Sequence, residues 1–110
     1  MAHLRVMLVD ASAERAAALA AVLARVHCDV VGCLPADANL TDQVDRLRPD
    51  VVIIDVDSPS RDTLESLRSV QAIAPRPLVM FSQDDDGTTI RRAIQAGVSA
   101  YVVDGLQDHR

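Results

Sequence analysis

The sequence predicts a doubly wound α/β domain built on a parallel five-stranded sheet. Short apolar runs alternate with segments of helical periodicity along the 110 residues, in the order βαβαβαβαβ. The strand-like runs are apolar on both faces, which is typical of parallel strands covered by helices on both sides. Right-handed crossovers between successive parallel strands give the doubly wound topology, for which we expect the strand order 2-1-3-4-5.

The first three elements are two strands and the helix between them. Residues 4–9 form an apolar run without turn residues, which indicates a strand. Residues 12–26 repeat Ala, Leu and Val at helical spacing, and this Ala-rich helix can pack close to a sheet. Residues 29–34 indicate a second, weaker strand because Gly32 interrupts the run.

The middle of the chain contains the strongest strand between two helices. Residues 39–47 carry apolar side chains on one helical face, and residues 50–55 are β-branched and apolar on both faces. Residues 62–73 again show helical spacing. Either Ser60 or Asp62 is suited to cap the start of that helix.

The last part of the chain repeats the pattern. Residues 78–81 form a short apolar strand, and the polar run at 82–87 indicates a loop. Residues 88–96 form a helix with Ile90, Ala93 and Ile94 facing inward, and Gly97 suits a left-handed cap at its C-terminal end. Residues 100–103 form the final strand.

Composition excludes several classes of function. The formal net charge of −5 argues against direct nucleic-acid binding, which needs a basic face. No apolar stretch reaches the ~20 residues of a membrane span. Asp10 interrupts the first apolar run, so no signal peptide is predicted and we expect a cytoplasmic domain.

The two cysteines are predicted to be reduced. Cys28 and Cys33 are five residues apart, just before and within the second predicted strand, and the prediction applies if both lie on one strand. This odd spacing places successive side chains on opposite faces, so we expect two small buried thiols without a disulfide between them. Reduced cysteines fit a reducing compartment.

Acidic side chains gather at the edge of the sheet where ligands bind in this architecture. That edge lies at the carboxyl ends of the strands, where the strand order reverses between strands 1 and 3. The polar residues at or just after strand ends are Asp10, Asp55, Asp57, Ser82 and Asp104. Converging carboxylates suit a hard cation such as Mg²⁺, or a carboxylate that accepts a phosphoryl group. The alternative interpretation is that they cap loops and helix N-termini.

Two other classes of function are disfavoured. A nucleotide- or flavin-binding domain needs a glycine-rich first loop, whereas residues 10–14 contain no glycine and two acids. The three histidines, His3, His27 and His109, are scattered away from the predicted edge. We therefore expect no enzymatic activity in this domain.

Over its whole length the chain resembles the receiver domain of two-component response regulators, without that family's final helix. Asp55 matches the phosphoacceptor and Asp10 the first of the paired acids, while Ser82 and Tyr101 match the switch residues on strands 4 and 5. The run 96–101 is typical of the family at that place. The resemblance implies a flavodoxin-like fold, a sensor protein or histidine kinase as partner, and Mg²⁺ at the acidic site.

Two segments resemble the NasT-like antiterminator regulators more specifically. They are residues 54–65 and 101–106. In that group the receiver precedes a helical ANTAR domain that binds RNA, and a sensor subunit responds to nitrate or nitrite. The resemblance therefore implies transcription antitermination, with RNA bound only through an output domain outside this chain.

Several residues depart from the family pattern. The family's second acid, which is the usual direct Mg²⁺ ligand, is replaced by Ala11 in this chain. The family's lysine, which pairs with the phosphoryl group, is replaced by Asp104, and the proline after that lysine is replaced by Gly105. The chain has no lysine to substitute, and Arg91 and Arg92 are expected to face solvent. Exchanging a cation for an anion at ~4 Å reverses an interaction of roughly 4 kcal/mol at an effective dielectric of about 20.

These departures leave two hypotheses open. The first is a degenerate receiver whose switch is set by a partner and not by phosphorylation. The second is a working receiver, in which Asp55 accepts a phosphoryl group and Mg²⁺ is held by Asp10, by Asp55 itself, and by Asp57. In receivers the position of Asp57 provides a backbone carbonyl to the metal, and here its carboxylate is a candidate replacement for the acid lost at Ala11.

The predicted architecture leaves one face of the sheet short of cover. With the order 2-1-3-4-5, the first helix lies alone on its side. A helix after residue 110, or a partner, would complete that side. Residues 1–110 are therefore predicted to be the N-terminal receiver domain of a longer regulator. A homodimer through the side of strands 4 and 5 is also expected.

Overall fold

A computed structural model describes residues 3–35 and 39–103, and every predicted element is present in the predicted order. The strands are β1 (Leu4–Asp10), β2 (Cys28–Leu34), β3 (Val51–Val56), β4 (Leu78–Ser82) and β5 (Ala100–Val103). The helices are α1 (Ala13–Ala24), α2 (Leu40–Leu47), α3 (Arg61–Ile73) and α4 (Gly87–Gln95). Among these described helices, none combines the length and apolar character needed to cross a membrane.

The five strands form one parallel sheet in the order β2-β1-β3-β4-β5, which confirms the predicted doubly wound topology. The register pairs Asp10 on β1 with Asp55 on β3, and Val56 on β3 with Ser82 on β4. The polar strand ends therefore meet at one edge, as the sequence predicted.

The core is divided between the two faces of the sheet. Helices α2, α3 and α4 cover one face, where the buried side chains include Met7, Ile54, Leu67, Leu78 and Met80. Helix α1 covers the other face and packs Ala16 against Val6 and Leu8. The small alanine side chains of α1 allow this close approach.

The α1 face of the sheet is only half covered in the described part of the chain. Ile53 is partly buried beside the α1 cluster, and the register places Val79 next to it on β4. Further along, Val102 on β5 is 36% exposed although it pairs with Phe81 on β4. The uncovered strip lies over β4 and β5, as expected when α1 is alone on its side.

Side chains cap the start of each helix. Ser12, Asn39, Ser60 and Asp86 each accept a hydrogen bond from a backbone N–H two or three residues further on. Of the two candidate caps for α3, the structure selects Ser60. Gly97 follows α4 with φ +108°, the left-handed conformation predicted for it.

Three apolar side chains expected in helical stripes lie at the surface. Ile73 is the last residue of α3 and is 72% exposed, while Ile94 on α4 is 49% exposed because Ala93 takes the buried position. Helix α1 ends at Ala24 and not at Val26, since His27 adopts a left-handed conformation (φ 63°) and Val26 lies in the turn, 61% exposed.

The expectation that the two cysteines lie on opposite faces is wrong, because β2 contains a bulge. The pairing with β1 jumps from Val30 to Gly32, so the side-chain alternation shifts by one residue. Cys28 pairs with Leu4 and Cys33 with Leu8, which places both on the α1 face. Four residues of β1 separate these pairs by roughly 13 Å, at about 3.3 Å per residue, beyond disulfide reach. Both thiols are free, and Cys33 is exposed where a buried thiol was expected.

Candidate functional site

The candidate site is built on the paired ends of β1 and β3. Asp10 and Asp55 are direct neighbours across these strands. The Asp10 side chain is nearly buried, with 7% exposed, whereas that of Asp55 is 28% exposed. Of these two carboxylates, Asp55 is therefore the one that a small molecule can approach.

The Asp10 carboxylate is held by the segment that follows it. The backbone N–H of Ser12 donates to Oδ1 of Asp10 at 2.8 Å. The guanidinium of Arg15 donates from Nη2 to Oδ1 at 2.8 Å and from Nε to Oδ2 at 3.4 Å. Both oxygens of Asp10 are thus engaged by groups of this chain.

Arg15 is a site residue that the sequence analysis missed. Its Nε lies 4.0 Å from Oδ2 of Asp55, so one guanidinium reaches both carboxylates of the strand pair. The hydrogen bond to Asp10, with the charges of Asp10, Asp55 and Asp57, raises the pKa of Arg15 above its usual range. An arginine three residues after the capping Ser12 was the available signal, because the first turn of α1 starts at the acidic edge.

The residues at this edge do not fit a Mg²⁺ ion as they stand. Mg²⁺ requires oxygen ligands in near-ideal octahedral geometry. Ala11 provides no side-chain ligand, and the Asp10 oxygens are taken by Ser12 and Arg15. Among the residues that the structure describes, no group of three or more His, Cys, Asp or Glu side chains is arranged to hold a metal ion.

Asp57 and Ser82 form a link between two loops. The Ser82 side chain is fully buried, and its hydroxyl donates to the Asp57 carbonyl at 2.9 Å while accepting from the N–H of Asp84 at 3.1 Å. The N–H of Gln83 also donates to the Asp57 carbonyl, at 3.2 Å. The Asp57 carbonyl therefore accepts two hydrogen bonds.

Tyr101 is connected to the same loops through Asp84. The Tyr101 hydroxyl donates to the carbonyl of Asp84 at 2.7 Å, and the hydroxyl of Ser58 donates to the Asp84 carboxylate at 2.6 Å. This bond from Ser58, followed by one from the N–H of Asp86, lowers the pKa of Asp84. The loop after Asp55 is therefore joined to β5 by a continuous set of hydrogen bonds.

The remaining predicted positions separate into exposed and undescribed ones. Ala11 lies exposed beside Asp10, and Arg91 and Arg92 are exposed on α4, as expected. Asp104, where the family carries its lysine, lies outside the described residues, so its predicted placement at the edge stays a prediction.

Two surface cavities adjoin these elements. One of about 490 Å³ opens next to Asp55 and is lined by residues that include Ala11, Arg15, Asp57 and Thr63. A larger groove of about 730 Å³ lies between α3 and α4, and it contains none of the predicted site residues. The smaller cavity is the one that belongs to the candidate site.

The parallel sheet, the acidic edge and the linked loops define a signal-receiving domain. The family model of the response regulator receiver domain matches residues 6–108, and the chain belongs to that family. The domain class predicted from the sequence is thereby confirmed.

Curated relatives are longer proteins. The chain is 38% identical over 96 residues to protein-glutamate methylesterase/protein-glutamine glutaminase 2 of Cereibacter sphaeroides, covering 84% of this chain and 26% of that protein. It is 31% identical over 102 residues to the protein-glutamate methylesterase/protein-glutamine glutaminase of Sulfurimonas denitrificans, covering 90% of this chain and 29% of that protein. The chain thus spans less than a third of either relative. Neither name supports the NasT-like subgroup expected from the sequence.

Solved structures agree on the fold. The response regulator domain of Thermotoga maritima CheB superposes with a TM-score of 0.74 at 24% identity, over 91% of this chain and 77% of that chain. The chemotaxis protein CheY4 of Vibrio cholerae gives a TM-score of 0.77 at 19% identity, over 94% of this chain and 88% of that chain. At these identities the likeness concerns the fold alone.

Proposed function

We propose that this domain is a degenerate receiver, whose state is set by a partner protein and not by phosphorylation of Asp55. The observation that carries the proposal is the incomplete acid pair. Ala11 stands where the family has its direct Mg²⁺ ligand, and the remaining acid, Asp10, is ion-paired within the chain. Phosphoryl transfer to a carboxylate needs cations to balance the transferred charge.

The sequence at the end of β5 supports the same proposal. Asp104 replaces the lysine that pairs with the phosphoryl group in the family, so an anion stands in place of a cation. The attraction of roughly 4 kcal/mol estimated for such a pair becomes a repulsion, part of which solvent screens. A phosphoryl group on Asp55 would lack its usual partner.

The loop connections that would transmit a signal are nevertheless present. Ser82 ties the loop after β3 to the loop after β4, and Tyr101 ties the latter to β5. A partner that displaces either loop would change the other through these hydrogen bonds. We propose a sensor protein as that partner, and a homodimer through the side of β4 and β5 as a second contact.

The output belongs to a longer cytoplasmic regulator in this proposal. The names of the curated relatives favour a methylesterase as the regulated activity. The segments at 54–65 and 101–106 favour an RNA-binding antiterminator. A methylesterase sequence or a helical ANTAR sequence downstream of this domain in its gene distinguishes the two outputs.

A working receiver is the second candidate function. The observation that favours it is the access to Asp55, whose carboxylate is 28% exposed beside the cavity of about 490 Å³. In this alternative Asp55 accepts the phosphoryl group, and Asp10 and Asp57 hold Mg²⁺ after Arg15 has moved away.

Intact mass after incubation with Mg²⁺ and acetyl phosphate tests the proposal, with Asp55→Asn as the matched control. We expect neither protein to gain the mass of a phosphoryl group. We expect the same result when acetyl phosphate is replaced by a histidine kinase encoded next to the gene of this protein. A stoichiometric gain for the natural sequence alone would overturn the proposal and establish the working receiver.

A further inference from the structure

We propose that Arg15 is a resident cation, which takes the place of a divalent metal at the acid pair and excludes the metal from it. The inference deepens the proposed function, on which it rests, by naming the residue that closes the site to Mg²⁺. It makes a specific claim: removing the positive charge of Arg15 should give the domain a metal affinity that the natural sequence lacks.

The guanidinium of Arg15 lies beside both carboxylates of the strand pair. It is 2.8 Å from one oxygen of Asp10 and 4.0 Å from an oxygen of Asp55, the two residues that face each other across β1 and β3. A metal ion shared by these carboxylates would need the same oxygens. It would also meet a positive charge at close range, so the two cations compete for one place.

The backbone holds Arg15 in this position. Ser12 caps α1 by accepting the N–H of Arg15 at 3.1 Å, and the N–H of Ser12 donates to Asp10 at 2.8 Å. The same residue therefore fixes the start of the Arg15 side chain and the carboxylate that it binds. The two bonds from the guanidinium to Asp10 then use the planar geometry that favours arginine for carboxylates.

Asp10 explains why a local cation is needed. Its side chain is 93% removed from solvent, since only 7% is exposed, and a carboxylate in that setting requires a partner. In a receiver with two adjacent acids a metal can fulfil this role, but Ala11 removes one of its ligands and Arg15 occupies the Asp10 oxygens that remain. Arg15 neutralises Asp10 without a metal, while its own side chain remains 54% exposed and free to be replaced without loss of core packing.

Metal binding measured directly tests the inference. The probe is Mn²⁺, whose unpaired electrons broaden the NMR signals of nearby residues, titrated into the natural domain and into Arg15→Gln. We expect no selective broadening in the natural domain, and broadening centred on Asp10, Asp55 and Asp57 in Arg15→Gln that Mg²⁺ reverses. The gain in affinity should be roughly tenfold or more, the scale on which groups around a metal site alter its affinity.

Two further variants separate charge from shape. Arg25→Gln makes the same charge change at the other end of α1 and should behave like the natural domain. Arg15→Lys keeps the charge and should still exclude Mn²⁺. If Arg15→Gln does not fold, as judged by its thermal transition, Arg15→Met provides the same neutral test.

The outcomes are distinct from those of the mass measurement. If Mn²⁺ broadens the signals of the natural domain and of Arg15→Gln equally, or broadens neither, the proposed role of Arg15 is wrong. Neither of these results shows that Asp55 is phosphorylated. A phosphoryl gain on the natural domain overturns the proposed function, whatever the Mn²⁺ titration gives. Selective broadening in the neutral variants alone supports the resident cation.

Discussion

Single side chains decide the electrostatics of this domain. Asp10 is placed by the end of β1, but Arg15 and Ser12 determine how it is used. Asp84 is the second such residue, because its carboxylate and its carbonyl receive bonds from different elements. The chemistry of the acidic edge therefore depends on Asp10 and Asp84 as well as on Asp55.

The titration of Asp84 can be predicted from these contacts. Its pKa lies below the ordinary value of 3.8, chiefly because the Ser58 hydroxyl donates to it. The ionised form is thus favoured in the folded state, and its contribution is present above the ordinary pKa and lost as the pH falls through the folded value. The loop connection should loosen only in that acidic range.

Replacing Ser58 should shift this titration upward. Ser58→Ala removes the donor, so the pKa of Asp84 is expected to return toward 3.8. An NMR titration of the Asp84 carboxyl carbon measures this pKa. Ser69→Ala, on the exposed side of α3, is the control and should leave the pKa of Asp84 unchanged. An unchanged titration in Ser58→Ala would show that Ser58 does not stabilise the ionised carboxylate.

At the scale of elements, the sequence was sufficient to predict the type and order of the strands and helices. It was not sufficient to predict local irregularities within them. The apolar runs and helical stripes predicted the nine elements found in the described residues, because burial on both faces of the sheet leaves a clear pattern. The bulge in β2 was missed, since an extra residue at Val31 changes which face each side chain occupies without altering composition. Ile94 was misplaced because helical spacing does not decide between adjacent apolar residues, and the structure buries Ala93 while Ile94 is 49% exposed.

The end of α4 provides a test of element geometry. Gly97 has φ +108°, and a Cβ there would lie 2.5 Å from Cγ of Gln71. Gly97→Ala should therefore lower the free energy of unfolding by roughly 1–3 kcal/mol through backbone strain and crowding. Chemical denaturation measures the loss.

Gly87 is the matched control on the same helix. It begins α4, and a Cβ there would meet nothing within 4 Å. Gly87→Ala should leave stability unchanged or raise it by up to about 1 kcal/mol, because alanine loses less conformational freedom on folding. Equal losses in both variants would contradict the assigned cap at Gly97.

For the whole molecule, the predicted topology was sufficient to place the acidic residues at one edge of the sheet. It was not sufficient to predict which groups of the chain pair with those acids. Parallel strands with a reversal between β1 and β3 bring Asp10 and Asp55 together in any chain with this order. Whether a cation site results depends on side-chain reach, such as that of Arg15 from the first turn of α1. Strand-end patterns carry no information about that reach.

The most direct test of partner gating is the output of the longer regulator proposed above, carrying Asp55→Asn and measured in its own cells with and without the inducing signal. This variant keeps the size of the side chain and removes the phosphoacceptor. The account predicts that the response to the signal is unchanged, because a partner and not a phosphoryl group sets the state of the domain. Loss of the response in Asp55→Asn, with normal protein abundance, would contradict it.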